Sequence, residues 1–210
     1  MLLENLCAAH WPPPWTPARV ETVLATLAAV HAALPKVADL NLASCEAERP
    51  SLASWARIAA DPDAFLSLGF CDAGWLTAAL PTLIAADVAA VLDGNGLLHQ
   101  DVRSDNLCFS NGRAILVDWN WCARGNDLVD VAGWLPSLHA EGGPAPETIL
   151  PHAGALAALL AGYFAWRAGQ PDPFPGARVR QVQRQQLAVA LPWAARALDL
   201  PPPAAGPRAI

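Results

Sequence analysis

Apolar residues recur at helical spacing over most of the chain, and strand-like runs are few and short. Thr16 followed by Pro17 is an N-cap with proline at the first helical position. Val20, Val23, Leu24, Leu27, Val30 and His31 then continue one apolar face that ends before Pro35. His31 on that face is expected to be a packing histidine. Pro50 and Ser51 open a short helix containing Trp55 and Ile58, and Asp61-Pro62 repeats the cap-plus-proline signature for another. A longer helix is expected from about Thr77 to Leu92, disturbed near Pro81 and stopped by Asp93-Gly94-Asn95-Gly96. Asn126 to about Leu138 reads as a helix carrying Asp130. Pro146-Glu147 starts a long Ala/Leu helix reaching Trp166 and Arg167, and a last helix runs from about Ala177 to Leu198. Ahead of all these, Leu2 to Leu6 reads as a short apolar strand, and His10 to Trp15 as a stiff, proline-rich linker.

The exception to the helical pattern is the stretch from Leu97 to Ala132. Leu107 to Phe109 reads as a strand, Ser110-Asn111-Gly112-Arg113 as a turn, and Ala114 to Val117 as the returning strand. Asn-Gly between apolar runs is a hairpin signal because both residues tolerate positive φ. The returning strand ends on Asp118, Asn106 stands at the entrance, and His99 and Asp101 lie just upstream. Two carboxylates and an amide oxygen therefore converge at the mouth of one β-ribbon. Two like charges about 4 Å apart repel by about 4 kcal/mol at an effective dielectric near 20, and a bound cation removes that cost. An all-oxygen ligand set suits a hard ion such as Mg²⁺, which completes its shell with phosphate oxygens and water. That chemistry points to phosphoryl transfer, where positioning and charge neutralisation supply most of the catalysis.

Composition narrows the reading further. The 210 residues are 54% hydrophobic and 15% charged, enough for a sizeable core. A net charge of −6 argues against a nucleic-acid partner. Cys7, Cys45, Cys71, Cys108 and Cys122 are odd in number and form no Cys-x-x-Cys, so reduced thiols and a cytoplasmic setting are expected. No signal peptide is visible, and no apolar run is long enough for a membrane span.

The order His99-x-Asp101-x4-Asn106, then a hydrophobic strand and Asp118, resembles the catalytic and metal-binding segments of kinase-like phosphotransferases. The wording HQDVRSDN…ILVDWNWCARGNDLVDVAGW is especially similar to the aminoglycoside phosphotransferase family and its small-molecule kinase relatives. The resemblance implies ATP- and Mg²⁺-dependent phosphorylation of a hydroxyl on a small molecule. It implies Asp101 as the base accepting the hydroxyl's proton, and Asn106 and Asp118 as the Mg²⁺ ligands. Asp130 matches the family's buried aspartate that braces the catalytic loop through backbone N–H groups, and His99 matches an architectural loop histidine. Backbone groups around Glu4 and Leu6 fall where the family's interlobe hinge meets adenine. Arg103 is placed to touch the transferred phosphate or to pair with Asp105, and Asp105 is not expected to be a ligand. Trp119 and Trp121 either line the site or pack. The loop Glu141-Gly142-Gly143-Pro144 either edges the acceptor pocket or is a solvated turn, and the solvated turn is the expected reading of Glu141.

The fold implied is mostly α with a small β-hairpin: the C-terminal lobe of a protein-kinase-like (α+β) fold, with the N-terminal lobe expected to be absent. Residues 1–15 would be the hinge strand and linker, 16–200 the lobe, and 201–210 a loose tail. No glycine-rich phosphate loop is visible, and Lys36, the only lysine, follows a helix and a proline rather than sitting on a strand. A second reading, from another class, is therefore a non-catalytic fragment or pseudokinase that acts as a binding module. The residues around Leu2, Leu3 and Leu6 are expected to form an exposed apolar patch.

Overall fold

The computed structural model describes residues 4–204. In chain order its helices and strands are α1 (Pro17–His31), α2 (Arg49–Leu52), α3 (Trp55–Ala60), α4 (Asp63–Leu66), α5 (Ala73–Ala89), β1 (Gly96–Leu98), β2 (Leu107–Ser110), β3 (Arg113–Leu116), β4 (Ala123–Gly125), α6 (Leu128–Ala140), α7 (Pro146–Ile149), α8 (Gly154–Ala168) and α9 (Val179–Ala197). The mostly helical class with a small β component is as expected. The chain divides into two compact units. One runs to Glu46 and from Leu92 to Pro144, and the other from Ala47 to Val91 and from Ala145 onward.

In the first unit, α1 begins as its sequence dictates: the Thr16 hydroxyl accepts from Arg19 N at 3.3 Å, and Pro17 occupies the first turn. Its buried face is Val20, Val23, Leu27 and His31. Strands β2 and β3 form the anticipated hairpin, with Leu107 opposite Leu116 and Ser110 opposite Arg113. Asn111 and Gly112 close it at φ of +50° and +74°, the left-handed pair that a two-residue turn of this hand requires. A second antiparallel pair joins β1 to β4, with Leu97 opposite Arg124. Each of its strands has three residues, too few for alternation to be visible in sequence. Gly125 is where backbones touch: a Cβ there would meet Leu92 O and Cys45 Cβ at 2.7 Å.

The described part of the expected N-terminal strand, Glu4 to Leu6, is not strand. Leu6 O instead accepts from Ala9 N at 3.0 Å in a turn. Leu2 and Leu3, and with them most of the expected apolar patch, lie outside the described residues. Further along, His10 pairs with Phe109 through two backbone hydrogen bonds of 2.9 and 2.8 Å, so the linker docks on the hairpin.

In the second unit, α8 packs chiefly against α9 and α5, and α3 packs on both α5 and α8. Trp55 is fully buried here, its indole N–H donating to Ala158 O at 2.7 Å. Several helix boundaries differ from those expected. The helix predicted through Trp55 and Ile58 is split into α2 and α3, with Ala53 extended between them. The cause lies on α5, whose Asp87 Oδ2 accepts from Trp55 N at 3.2 Å and so caps α3 from a distance. Helix α4 starts after Pro62 and has no side-chain cap, so Asp61 does not play that part. Asp72 starts α5 earlier than expected by accepting from Trp75 N at 2.7 Å. Arg49 closes the other end of α5 by donating to the carbonyls of Asp87, Val88 and Ala90. The long helix expected from Pro146 is two, α7 and α8, separated at Leu150 to Ala153, where Pro151 cannot donate to a helical ladder. Of the tail expected to be loose, the described part carries two hydrogen bonds: Pro201 O accepts from Trp75 Nε1 and Ala204 O from Asp72 N. Among the described residues no helix is long and apolar enough to cross a membrane.

Candidate active site

Strand β1 delivers the chain into a loop whose conformation is set almost entirely by hydrogen bonds to its backbone. His99 is fully buried. Its Nδ1 accepts from Asp101 N at 3.2 Å, which makes Nε2 the protonated nitrogen, donating to Val117 O at 2.9 Å. The ring thus ties the loop to the end of the hairpin, and Trp119 covers it edge-on with centroids 4.6 Å apart. The architectural part implied for His99 is what its contacts describe.

From the other side, Asp130 on α6 supplies both carboxylate oxygens to the loop. Oδ2 accepts from His99 N at 2.8 Å and Oδ1 from Gln100 N at 2.7 Å. Asp130 is 2% exposed, and the His99 N–H it receives is buried with it, out of reach of water. Oδ2 also meets His31 Nε2 at 3.2 Å. His31 is therefore more than the packing residue expected from its apolar face, because it braces the aspartate that braces the loop. Gln100 itself sits at φ +64°, an uncommon conformation for a residue with a side chain.

Beyond Gln100 the charged groups gather. Asp101 Oδ1 is 2.9 Å from Arg103 Nε, and Arg103 Nη2 is 3.1 Å from Asp105 Oδ2. Arg103 consequently bridges two carboxylates rather than pairing with Asp105 alone. Asn106, nearly buried, donates from Nδ2 to both the backbone oxygen of Asp101 (3.0 Å) and its Oδ2 (2.9 Å). Both oxygens of Asp101 are engaged, and the Asn106 amide is oriented with its nitrogen towards Asp101 and its oxygen left to other partners. Residues 103 to 106 form a tight turn closed by Asn106 N donating to Arg103 O at 3.0 Å.

The hairpin extends this order. Val117 N donates to Asn106 O at 2.9 Å, so Asp118 stands one residue past the partner of Asn106. Asp118 is exposed and held at φ +63°, and its Oδ1 accepts a short hydrogen bond from Asn120 Nδ2. Residues in sparsely populated backbone regions cluster at functional sites. Here they flank both acidic positions, Gln100 before Asp101 and Asp118 itself. Trp119 packs on His99, whereas Trp121 is 69% exposed.

Of the remaining predicted positions, Glu4 and Leu6 lie apart from this cluster's hydrogen bonds. Glu4 pairs with Arg113 at 3.2 Å on the exposed end of the hairpin, and Leu6 is half-buried. Glu141 sits half-buried in the expected turn, but its carboxylate is engaged rather than merely solvated. Its Oε1 accepts from Ser104 Oγ at 2.5 Å and its Oε2 from Trp15 Nε1 at 2.8 Å. Nothing adjacent to it in sequence announces either bond. On strand β2, burial pushes the Cys108 thiol above its usual pKa, with the Glu4 charge adding to the effect.

The donor set suits a hard cation: an amide oxygen from Asn106 and a carboxylate from Asp118, without thiol or imidazole. Among the described residues no group of three or more His, Cys, Asp or Glu side chains is arranged to hold a metal ion. A magnesium ion that takes most of its shell from phosphate and water needs no such group. Neither the curated proteins nor the solved structures contain a significant match to the chain. The family model described as the phosphotransferase enzyme family matches residues 8–171, a span that holds the loop, the hairpin and the bracing aspartate, and the chain belongs to that family.

Proposed function

We propose that this chain is an ATP- and Mg²⁺-dependent kinase that phosphorylates a hydroxyl group of a small molecule, built on the C-terminal lobe of a kinase-like fold. The observation that carries the reading is the pairing of Asp101 with Asn106 at the hairpin mouth, one residue from Asp118. Asp101 orients the acceptor hydroxyl and takes its proton as the bond to phosphorus forms. Asn106 Oδ1 and the Asp118 carboxylate would hold Mg²⁺, which when bound neutralises charge on the phosphates. Arg103 keeps Asp101 in place between reactions, and His99 and Asp130 fix the loop backbone. The adenine contact assigned to the backbone around Glu4 and Leu6 follows from the family resemblance. A cytoplasmic setting is in keeping with five free cysteines.

The test is a titration with Mg²⁺-ATP followed by tryptophan fluorescence, with Asp118→Ala as control. Trp119 adjoins the proposed metal carboxylate and serves as the reporter. Saturable binding that requires Mg²⁺ and is lost in the variant is the expected result, followed by ADP release in a panel of hydroxylated small molecules. Binding that ignores Mg²⁺ or survives Asp118→Ala rejects the reading.

A further inference from the structure

We propose that Glu141 is a positioning residue for phosphoryl transfer, clamping the corner of the turn that separates Asp101 from Asn106. The proposal rests on the functional reading above and adds a residue to its machinery. Three observations on Glu141 converge. It is the C-cap of α6, where a carboxylate faces the negative end of the helix dipole, and the helix itself gives no reason for an acid there. Its two oxygens nonetheless each receive a donor from a different segment: Ser104 Oγ at 2.5 Å and Trp15 Nε1 at 2.8 Å. Finally, the backbone around it is held. Gly142 takes φ +90°, and Gly143 N returns to Leu138 O at 2.9 Å, where a Cβ on Gly143 would clash with Leu138 Cδ1 at 2.5 Å.

Ser104 is one of the two central residues of the turn from 103 to 106. Arg103, on one side, holds Asp101, and Asn106, on the other, donates to the same carboxylate. Anchoring Ser104 therefore sets the approach of the proton acceptor to the metal-binding amide. The far end of the clamp is rigid as well. The Trp15 ring meets buried Trp134 edge-on at 5.4 Å and Phe109 at 6.3 Å, and Trp15 directly follows the proline run. Glu141 thus ties the loop to a segment that is docked on both α6 and the hairpin. A displacement of about 1 Å at a reacting group costs on the order of a hundredfold in rate, so a clamp of this kind acts on turnover rather than on nucleotide affinity.

The experiment compares wild type with Glu141→Ala, Glu141→Gln and Ser104→Ala, using Mg²⁺-ATP with water as the acceptor and amide hydrogen exchange across residues 103–106. Glutamine keeps an oxygen for Trp15 and offers an N–H to the serine oxygen, so it should restore most of what alanine loses. Glu141→Ala and Ser104→Ala should each lower kcat for ATP hydrolysis by about tenfold or more, with the Kd for Mg²⁺-ATP within about twofold of wild type. Adding Ser104→Ala to Glu141→Ala should make the protein no worse than Glu141→Ala alone, because that variant has already lost the Ser104 contact. Exchange in 103–106 should rise in both, while α1 and the core of α6 stay protected. Should Glu141→Ala fail to fold, Ser104→Ala still removes the loop side of the clamp alone. Unchanged exchange in 103–106, or a fall in kcat matched by an equal rise in Kd, overturns the proposal. A wild-type chain that neither binds nor hydrolyses Mg²⁺-ATP sinks the phosphotransfer reading instead, and the exchange pattern then decides whether Glu141 orders the turn.

Discussion

Replacing Asp87 by asparagine should make the protein more stable at neutral pH relative to wild type than it is in acid. Asp87 lies near the end of α5 and is 3% exposed. Its Oδ2 accepts from Trp55 N, and its Oδ1 is buried without a partner. Burial raises its pKa from 3.8 to about 6, against the backbone N–H groups of Trp55 and Ser54 and the Arg49 and Arg57 charges, all of which lower it. The folded state therefore keeps this proton over a pH range in which the unfolded chain has already released it. Stability is highest below the unfolded value and is lost as pH rises through the folded one. Over the 2.2 units between 3.8 and about 6, the loss is about 3 kcal/mol, at 1.36 kcal/mol per unit. That is a large share of the 5–15 kcal/mol typical of a domain. The variant cannot ionise, and its amide oxygen can still serve Trp55 N. Urea denaturation of both proteins from pH 4 to pH 7.5 gives the stability difference at each pH, in which the other titrating groups cancel. The difference should shift towards the variant by about 2.4 kcal/mol over that range, the rest of the loss falling below pH 4. A difference that is flat with pH, or that shifts towards wild type, refutes the reasoning.

Two other substitutions probe the supports of the loop. Asp130→Ala leaves the buried N–H of His99 and the part-buried N–H of Gln100 without acceptors and should cost roughly 1–4 kcal/mol, with 1–3 for the fully buried donor; equilibrium denaturation measures it, and a loss under about 0.5 kcal/mol contradicts the bracing role. Gly125→Ala puts a methyl 2.7 Å from the backbone oxygen of Leu92, which cannot rotate away; a loss of about 1–3 kcal/mol, read from the same denaturation curves, is expected, and an unchanged midpoint would mean that the β1–β4 pair relaxes freely.

The elements legible in advance are those whose signals lie within a few residues. Thr16 and Pro17 start α1 because one hydroxyl reaches an N–H three positions on. Asn111 and Gly112 close the hairpin because their own backbones accept positive φ. The pairing of Asn106 with Val117, the residue before Asp118, follows from that turn, since register propagates along a ladder to its mouth. At two of the helix ends a remote group had intervened. Asp87 caps α3 across 32 positions of sequence, and Arg49 ends α5 from 38 positions away. The strands β1 and β4 carry no pattern of their own and exist because each completes the other.

The same division runs through the candidate site. The sequence by itself determined the chemistry on offer: two carboxylates and an amide around a hairpin, within the span that matches the phosphotransferase enzyme family. Only the tertiary structure decided what holds that chemistry in place. Glu141 joins Ser104 across 37 positions to Trp15 across 126, and His31 reaches Asp130 across 99. A cap or a turn is a property of neighbouring dihedrals and can be read from residue types. A buried carboxylate's partners are set by which segments the packing brings together, and no local spacing encodes that.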